Sequence, residues 1–412
     1  MTTLAQTVGV SQPVAARREP HVCMVAYSDY VFDARIRREA ETLASNGFRV
    51  TCFKLRNGAA RERYTLNNVD VRELSVPKYQ GKSRTAYLRS YLRFMVEASA
   101  ACVRLLWKGD LDAVHIHNLP DFLVLAGLVP RLAGRKIVLD VHDSIPETFA
   151  TKFSDASALW TLLCLEERMS ALLAHRVICV NDPQRDTLVN RSISASKTFV
   201  SMNVPDPAIF KLGAAADHPA ADEGGGFDVV YHGTMAERLG VDLIIRAIAS
   251  LRERIPELRL HLWGRGDDLP RFQRLASDLG AEGVVEFKPQ GYPLQELPAR
   301  LRPMQLGVIG NRRSLACDLM LPVKLMEYVS LGIPAVAPRL RTIEHYFSDQ
   351  MVTFYEPENV QSLADSIYRL YAQPESRRRQ AACADGFLTK YGWDRQGGEL
   401  VAFYRQLLEV RT

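Results

Sequence analysis

The chain has 412 residues, 47% of them hydrophobic and 24% charged, with a formal net charge of +5. This is globular composition for two or three domains with large cores, and it argues against a nucleic-acid binder because no basic cluster is interleaved with aromatics. Seven cysteines with no CxxC pair favour reduced core thiols over disulfides or zinc ligands.

Residues 1–20, "MTTLAQTVGVSQPVAARREP", contain no apolar run suited to a signal peptide, and no later stretch is long and charge-free enough to span a bilayer. A flexible N-terminal segment and a cytoplasmic protein are expected. Short Val/Ile-rich runs then alternate with helix-period segments, the pattern of parallel sheets with helices on both faces. Strands are predicted at His21–Tyr27, Arg49–Leu55, Asp112–His117, Lys136–Val141 and Arg176–Val180, with a weaker one at Thr198–Met202. Together they form one Rossmann-like unit over 21–203. Between the second and third strands, Arg84–Lys108 is amphipathic, with Tyr87, Leu88, Tyr91, Leu92, Met95, Cys102, Val103 and Leu106 opposite Arg89, Arg93, Arg104 and Lys108. A helix packed on the sheet with a solvated basic face is favoured over an interfacial membrane helix.

The stretch "NVPDPAIFKLGAAADHPAADEGGG" has linker composition, assigned to 204–226. Alternation restarts with "FDVVYHG", "LRLHLWG", "VVEF", "QLGVIG", "PAVA" and "MVTFY", a second unit over 227–385. Residues 386–412 end the chain in a helix whose docking side the sequence leaves open, the N-terminal domain being one candidate. The architecture predicted is α/β, two Rossmann-like doubly wound domains facing a central cleft.

Ligands of open parallel sheets collect beyond the carboxyl ends of the strands, where loops diverge and helix N-termini point outward. The loops to inspect are therefore "NLPDF", "VHDSIPE", "GTMAERLG", "GRGDD" and "NRRS". Gly233, Gly264 and Gly266 allow backbone to approach a ligand, while Thr234, Arg238 and Arg265 suit phosphate oxygens. Tight turns with solvated arginines explain Gly264 and Gly266 equally well; Arg238, between strand and helix, is the stronger candidate. His142 follows a buried strand beside Asp143, where a carboxylate neighbour can orient an imidazole. His115 and His117 alternate on one strand face, but no further ligand has metal spacing, and a metal is not expected. The "DLD" of Asp110–Asp112 precedes its strand and reads as a solvated loop.

Asp318–Ala337 reads "DLMLPVKLMEYVSLGIPAVA", a buried helix and strand carrying two charges. Pro322 suits a first helical turn, leaving free amides and roughly half a positive charge aimed at the cleft. Lys324 and Glu327 share a face. A structural ion pair there is poor design, since buried pairs are costly. Ribose hydroxyls on Glu327 and phosphate at Lys324 or the helix end form the functional account.

The ordered strings "DARIRREAETLASNGFRV", "IVLDVHDSIPE", "HGTMAERLGVDLIIRAI", "LWGRGDDLPRFQRLA", "VVEFKPQGYPLQELP" and "PVKLMEYVSLGIPAVA" resemble a bacterial GT-B glycosyltransferase of family 4, the retaining kind. The likeness runs from about His21 to the C-terminus. It implies a nucleotide-diphosphate sugar as donor, held mainly by the C-terminal domain, and an acceptor held mainly by the N-terminal domain. Glu327 matches the second acidic residue of the family's E-x7-E motif, the ribose ligand. The first falls on Leu319; Asp318, one position further back, is the nearest carboxylate and is assigned to the donor sugar. Thr234 stands where the family has arginine, and Arg238 lies close to its lysine, so Arg238, Lys324 and the helix amides are left to neutralise the diphosphate. His142 matches an active-site histidine near the transferred sugar. The candidate sites implied are catalytic His142 and Asp318; donor-binding Gly233, Thr234, Arg238, Gly264, Arg265, Gly266, Asn311, Pro322, Val323, Lys324 and Glu327; and acceptor-side His117, Asn118 and Asp143. The resemblance further implies metal-independent transfer, a lipid-linked or saccharide acceptor as in polysaccharide assembly, and peripheral contact with the inner face of the plasma membrane. The competing reading is a non-catalytic GT-B subunit that binds a nucleotide or a partner. A nicotinamide dehydrogenase is disfavoured because no GxGxxG follows the first strand of either unit.

Overall fold

A computed structural model describes residues 18–58, 61–79, 81, 83–150, 157–191, 193–210 and 226–410. Most of the expected N-terminal segment (1–17) and of the linker (211–225) lies outside the described residues. The first sheet contains β1 (His21–Ala26), β2 (Arg49–Arg56), β3 (Arg63–Leu66), β4 (Val69–Pro77), β5 (Ala113–His117), β6 (Lys136–Val141), β7 (Arg176–Cys179) and β8 (Thr198–Val200). Its order is β3-β4-β2-β1-β5-β6-β7-β8, parallel apart from the β3–β4 pair. The second contains β9 (Phe227–His232), β10 (Leu258–Trp263), β11 (Val285–Lys288), β12 (Leu306–Val308), β13 (Ala335–Pro338) and β14 (Thr353–Tyr355). It is parallel throughout, in the order β11-β10-β9-β12-β13-β14.

Leaving aside the antiparallel β3, each order reverses direction once, between β1 and β5 in the first sheet and between β9 and β12 in the second. Loops on either side of such a reversal diverge and open a crevice. β1 is buried along its whole length because helices cover both sheet faces, which is why central strands read as unbroken apolar runs.

The sequence reading passed over β3 and β4. Their signals are the period-two alternation of "VDVRELSV" and the Asn67-Asn68 turn, whose φ values of 47° and 65° are the positive pair that a type I′ hairpin demands. Helix Arg84–Trp107 is also rotated from its predicted orientation. Phe94, Ala98, Ala101, Cys102 and Leu105 face the core, while Leu88, Leu92 and Val96 are exposed. Small side chains at 98 and 101 let the helix sit close to the sheet, so the bulkier aliphatics fall outside.

The terminal helix Trp393–Leu407 lies on the first sheet. Trp393 Nε1 donates to Thr42 Oγ1 (3.0 Å), Tyr404 OH bonds His115 Nδ1 (2.8 Å) and Phe403 stacks on Phe199. Gln396 Oε1 accepts from the Met202 amide at 3.0 Å. Leu400 is fully buried in this contact. Leu400→Ala is expected to lower unfolding free energy by about 2–5 kcal/mol, read as a shifted denaturant midpoint with an unchanged slope.

Candidate active site

A cavity of about 700 Å³ lies between the two sheets, walled on one side by His142 and Asp143 and on the other by Gly233, Thr234, Arg238 and Asn311 together with Pro322, Val323 and Lys324. A second of about 370 Å³ adjoins it and is lined by Gly233, Thr234, Gly264, Arg265 and Glu327, with the Trp263 and Tyr292 rings. The loops involved follow β9 and β12, the strands flanking the reversal in the second sheet, their neighbour β10, and β6 of the first. Asn181 Nδ2 donates to the Leu319 carbonyl at 2.8 Å, and Tyr346 OH donates to Asp182 Oδ2 at 2.8 Å, joining the two halves beside the larger cavity.

Helix Val323–Ser330 starts at the cavity wall, with Pro322 as its N-cap (φ −64°, ψ 117°). Pro322 therefore precedes the helix, one residue earlier than expected, and the first-turn amides are left for an anion. Lys324, in that turn, sets its Nζ 3.9 Å from the Tyr231 ring centroid, and among the described residues it has no ion-pair partner. Burial pushes its pKa down to about 7; Glu327 opposes that shift and Arg238 adds to it. Glu327 turns into the smaller cavity, its Oε2 3.1 Å from His232 Nε2. The two helix charges thus share a face without pairing.

Gly264 has φ +142°, and a Cβ there would stand 1.9 Å from the Gly233 carbonyl oxygen. A Cβ on Gly266 would stand 2.0 Å from the Met235 oxygen, and Gly266 lines neither cavity. Its absent side chain serves loop packing, and only Gly264 of the pair reaches the site. Arg238 and Arg265 are exposed on the cavity walls, without ion-pair partners among the described residues. Asn311 is 1% exposed, and its Oδ1 has no hydrogen-bond partner, so an acceptor atom lies ready in the wall.

His142 is oriented by Asp140 rather than by its neighbour Asp143. Its Nε2 lies 3.0 Å from Asp140 Oδ2 and 3.1 Å from His117 Nδ1. Arg35 clamps the same carboxylate through Nη2 (2.8 Å) and Nε (3.2 Å), and its Nη1 donates to the Ser201 carbonyl at 2.9 Å. Burial would raise the Asp140 carboxyl, but Arg35 and His142 outweigh it and hold the group well below the usual range. Burial would lower His142, and the Asp140 charge more than reverses that, so its pKa rises. His117 moves the other way, driven down by burial and by His115. Of the two rings, His142 is therefore the one biased toward its charged form and His117 the one biased toward its neutral form.

His117 and Asn118 do not line the cavity. Both are buried behind it. Asn118 shapes the loop: its Oδ1 accepts from the His142 amide (2.7 Å) and its Nδ2 donates to the Asp143 carbonyl (2.9 Å). That leaves Asp143 exposed at the wall. No further ligand has metal spacing with His115 and His117 along the chain, but the fold brings Glu39 and Asp140 to them, with ligand atoms within 4.8 Å of one another. Those partners come from a helix and another strand, so linear spacing could not show them. Arg35, 2.8 Å from Asp140 and 3.1 Å from Glu39, supplies the cation these carboxylates require.

Asp318 is the second correction. It ends the short helix Leu315–Asp318 with its carbonyl accepting from Thr342, and it is Leu319 that forms the cavity wall. Successive residues of a helical turn point about 100° apart, so one step turns the carboxylate off the wall. Residues missed altogether are His232, which lines both cavities, and the buried pair Asp140 and Arg35. His232 ends β9, where the strand-end rule applied to its neighbours would have found it.

Asp140→Ala removes the two-nitrogen partner of the buried Arg35 and leaves it only Glu39 as a carboxylate partner, and is expected to cost about 3–5 kcal/mol of stability. Because its folded pKa is depressed, this contribution is present above the unfolded value of about 3.9 and lost as pH falls from there through the folded value. Acid unfolding of Asp140→Asn compared with the parent chain checks the sign.

Comparison with known proteins bears on both halves. Residues 33–203 match the family model "Glycosyl transferase 4-like domain" and residues 217–385 match "Glycosyl transferases group 1", together about four-fifths of the chain. The chain is 30% identical to the GDP-mannose-dependent alpha-(1-6)-phosphatidylinositol monomannoside mannosyltransferase of Mycolicibacterium smegmatis over 44% of its own length and 49% of that protein, so it matches about half of that relative. It is 24% identical to the alpha-D-kanosaminyltransferase of Streptomyces kanamyceticus over 68% of its length and 73% of that protein. The structure of sucrose-phosphate synthase from Thermosynechococcus elongatus superposes with a TM-score of 0.77 over 95% of this chain and 100% of that one, at 17% identity. With two parallel sheets facing a cleft and a family model matched on each side of it, the chain belongs to the GT-B glycosyltransferases of group 1, the family 4 type.

Proposed function

We propose that this protein transfers a sugar, with retention of anomeric configuration, from a nucleotide-diphosphate sugar to an acceptor hydroxyl. The observation that carries the reading is Lys324, an ammonium in the first turn of helix Val323–Ser330, depressed to about 7 and without a carboxylate partner among the described residues. Such a group waits for an anion. Arg238 and the free helix amides complete a diphosphate site, and Glu327, held by His232, takes the ribose hydroxyls. Residues 227–385 act as the donor domain and 21–203 as the acceptor domain, with 204–226 as the linker. Names of relatives support the donor class, one of them being GDP-mannose-dependent.

In the reaction, the bond between the anomeric carbon and the leaving phosphate oxygen breaks while the acceptor oxygen bonds to that carbon on the same face. The acceptor proton passes to the departing phosphate oxygen. The protein's share is to stabilise charge growing on the diphosphate, through Arg238, Lys324 and the amides, while an oxocarbenium-like centre forms. His142, oriented by its contact with Asp140, faces the transferred sugar from the other wall of the cavity. These groups neutralise the diphosphate without calling on a metal. The acceptor we favour is a lipid-linked saccharide of bacterial exopolysaccharide or cell-surface polysaccharide synthesis, met at the cytoplasmic face of the membrane; one relative acts on a phosphatidylinositol mannoside.

Purified protein should release nucleoside diphosphate from at least one nucleotide sugar of a UDP- and GDP-sugar panel, and Glu327→Ala should abolish the release. Asp318→Ala should leave it near the parent rate. Nucleotide binding without any turnover across the panel and with saccharide acceptors would instead favour a non-catalytic nucleotide-binding subunit.

Lys324 makes a further signature. Near pH 8 it is mostly neutral in the free protein, and a bound diphosphate raises its pKa, so binding takes up a proton. Below about pH 6 the lysine is already charged and the uptake vanishes. Titration calorimetry in buffers of different ionisation heat measures this, and Lys324→Met should remove it.

A further inference from the structure

Three helical segments lie side by side over one face of the first sheet: Arg84–Trp107, the 3-10 turn Asp121–Gly127 running into Leu128–Leu132, and Ser157–Leu173. Their inner sides share one core, with Phe94, Ala98, Leu123, Val124 and Ala171. Their outer sides are apolar. The first exposes Leu88, Leu92, Val96 and Trp107; the second Leu125, Leu128, Val129 and Leu132; the third Leu162, Leu165, Met169 and Leu172. Trp107 and Leu132 are 82% and 80% exposed. In the second half of the chain, by contrast, only Leu294 and Leu315 are exposed large hydrophobics among the described residues.

Helix Ser157–Leu173 is inverted. Glu167 and Ser170 are 1% and 3% exposed, and Ser170 Oγ donates inward to Glu166 Oε1 at 3.3 Å. Arg191, from helix Asp182–Arg191, reaches Glu167 at 3.5 Å. Acids face the core while leucines face out, the reverse of a helix whose outer side meets water. A contiguous patch of this extent marks an interaction surface.

Charge indicates what covers it. No acidic side chain of the three segments is exposed, whereas Arg89, Arg104, Lys108 and Arg168 are, without ion-pair partners among the described residues. Leucines bordered by free cations match acyl chains beneath anionic headgroups. No helix among the described residues is long and apolar enough to cross a membrane, so the contact is with one leaflet. The structure assigns this three-helix face as a docking surface for an anionic lipid bilayer.

The face adjoins the catalytic cleft through helix Ile145–Ala150, which packs on Ser157–Leu173, lines the larger cavity with Thr148 and exposes Phe149. A lipid-linked acceptor would enter from that side. This deepens the acceptor part of the function proposed above, yet vesicle binding is measured without any sugar transfer, so either can fail alone.

The test is co-flotation of the full chain with phosphatidylcholine vesicles, plain or carrying about 30 mol% phosphatidylglycerol. The bound fraction should rise about tenfold with the anionic lipid and fall with added salt. Leu165→Glu with Met169→Glu should abolish binding, while Arg89→Glu with Arg104→Glu should remove the preference for anionic vesicles. Thermal unfolding followed by circular dichroism checks that each variant folds; if the first pair does not, Leu92→Glu on the neighbouring helix carries the same expectation. Absence of binding to anionic vesicles, or binding unchanged by the apolar substitutions, overturns the proposal. So does a dimer in sedimentation equilibrium that Leu165→Glu with Met169→Glu dissolves, since a second copy would then be the occupant.

Discussion

The Arg35 guanidinium is fully enclosed, and the N-terminal half is arranged around it. It grips Asp140 of β6 through two nitrogens, meets Glu39 one turn along its own helix and donates to the Ser201 carbonyl beyond β8. One side chain therefore joins the first helix, the sheet and the chain segment leading to the second half. Burying so many charges is tolerable only when all are paired. Glu39, 0% exposed, is the weakest member: burial raises its carboxyl, and the Arg35 charge opposes that rise without cancelling it. The same network reaches the terminal helix, since His115 stacks on His117 at 4.1 Å and bonds Tyr404. The last helix of the chain thus closes over the charges that orient His142.

On the donor side, a single helix divides its two charges between two cavities. Lys324 faces the larger space against the Tyr231 ring, and Glu327 faces the smaller one against His232. Had the two paired, the helix would hold a neutral dipole with nothing left for a ligand. Kept apart, Lys324 is left without a carboxylate, and Glu327 keeps only the His232 ring beside it, so both remain open to a ligand. Asn311, with its buried and unpartnered Oδ1, adds a third group of the same kind. Unmet polar groups usually lower stability by about 1–3 kcal/mol each; Lys324 and Asn311 beside one cleft are better understood as ligand contacts awaiting a ligand.

What was legible in the sequence depends on how local the deciding physics is. The two sheets could be read from strand runs because parallel strands buried on both faces must be apolar. Glu327 and Lys324 stood out because a charge in an apolar helix conflicts with its neighbours. The β3–β4 hairpin was missed because attention to apolar runs hides a half-exposed strand, although the Asn67-Asn68 turn announced it. Asp140 was invisible as a site residue: inside "KIVLDV" it is one carboxylate in a strand, and its importance comes from Arg35, 105 positions away in sequence. Asp143, adjacent to His142, was the more obvious orienting group, and the fold turned it to the cavity instead. The outer face of helix Arg84–Trp107 failed for a different reason. A helical wheel shows which residues are apolar but not how near the helix lies to its sheet, and Ala98 and Ala101 settle that distance.

Leu319 poses the remaining question of the donor site. It occupies the wall where a carboxylate would meet a sugar hydroxyl, and its side chain is 7% exposed while its carbonyl is tied to Asn181 of the other half. An apolar residue there can neither accept a hydrogen bond nor repel the diphosphate charge. In the proposed reaction the wall thus asks less of the sugar's hydroxyl pattern, and selectivity falls to groups that do reach the cavity: Asn311 on one side, His142 and Asp143 across from it. Those two sides meet through the Asn181 bond to the Leu319 carbonyl. Under the proposed function, sugar selectivity is consequently shared across the cleft, because the groups placed to read the sugar belong to different halves of the chain.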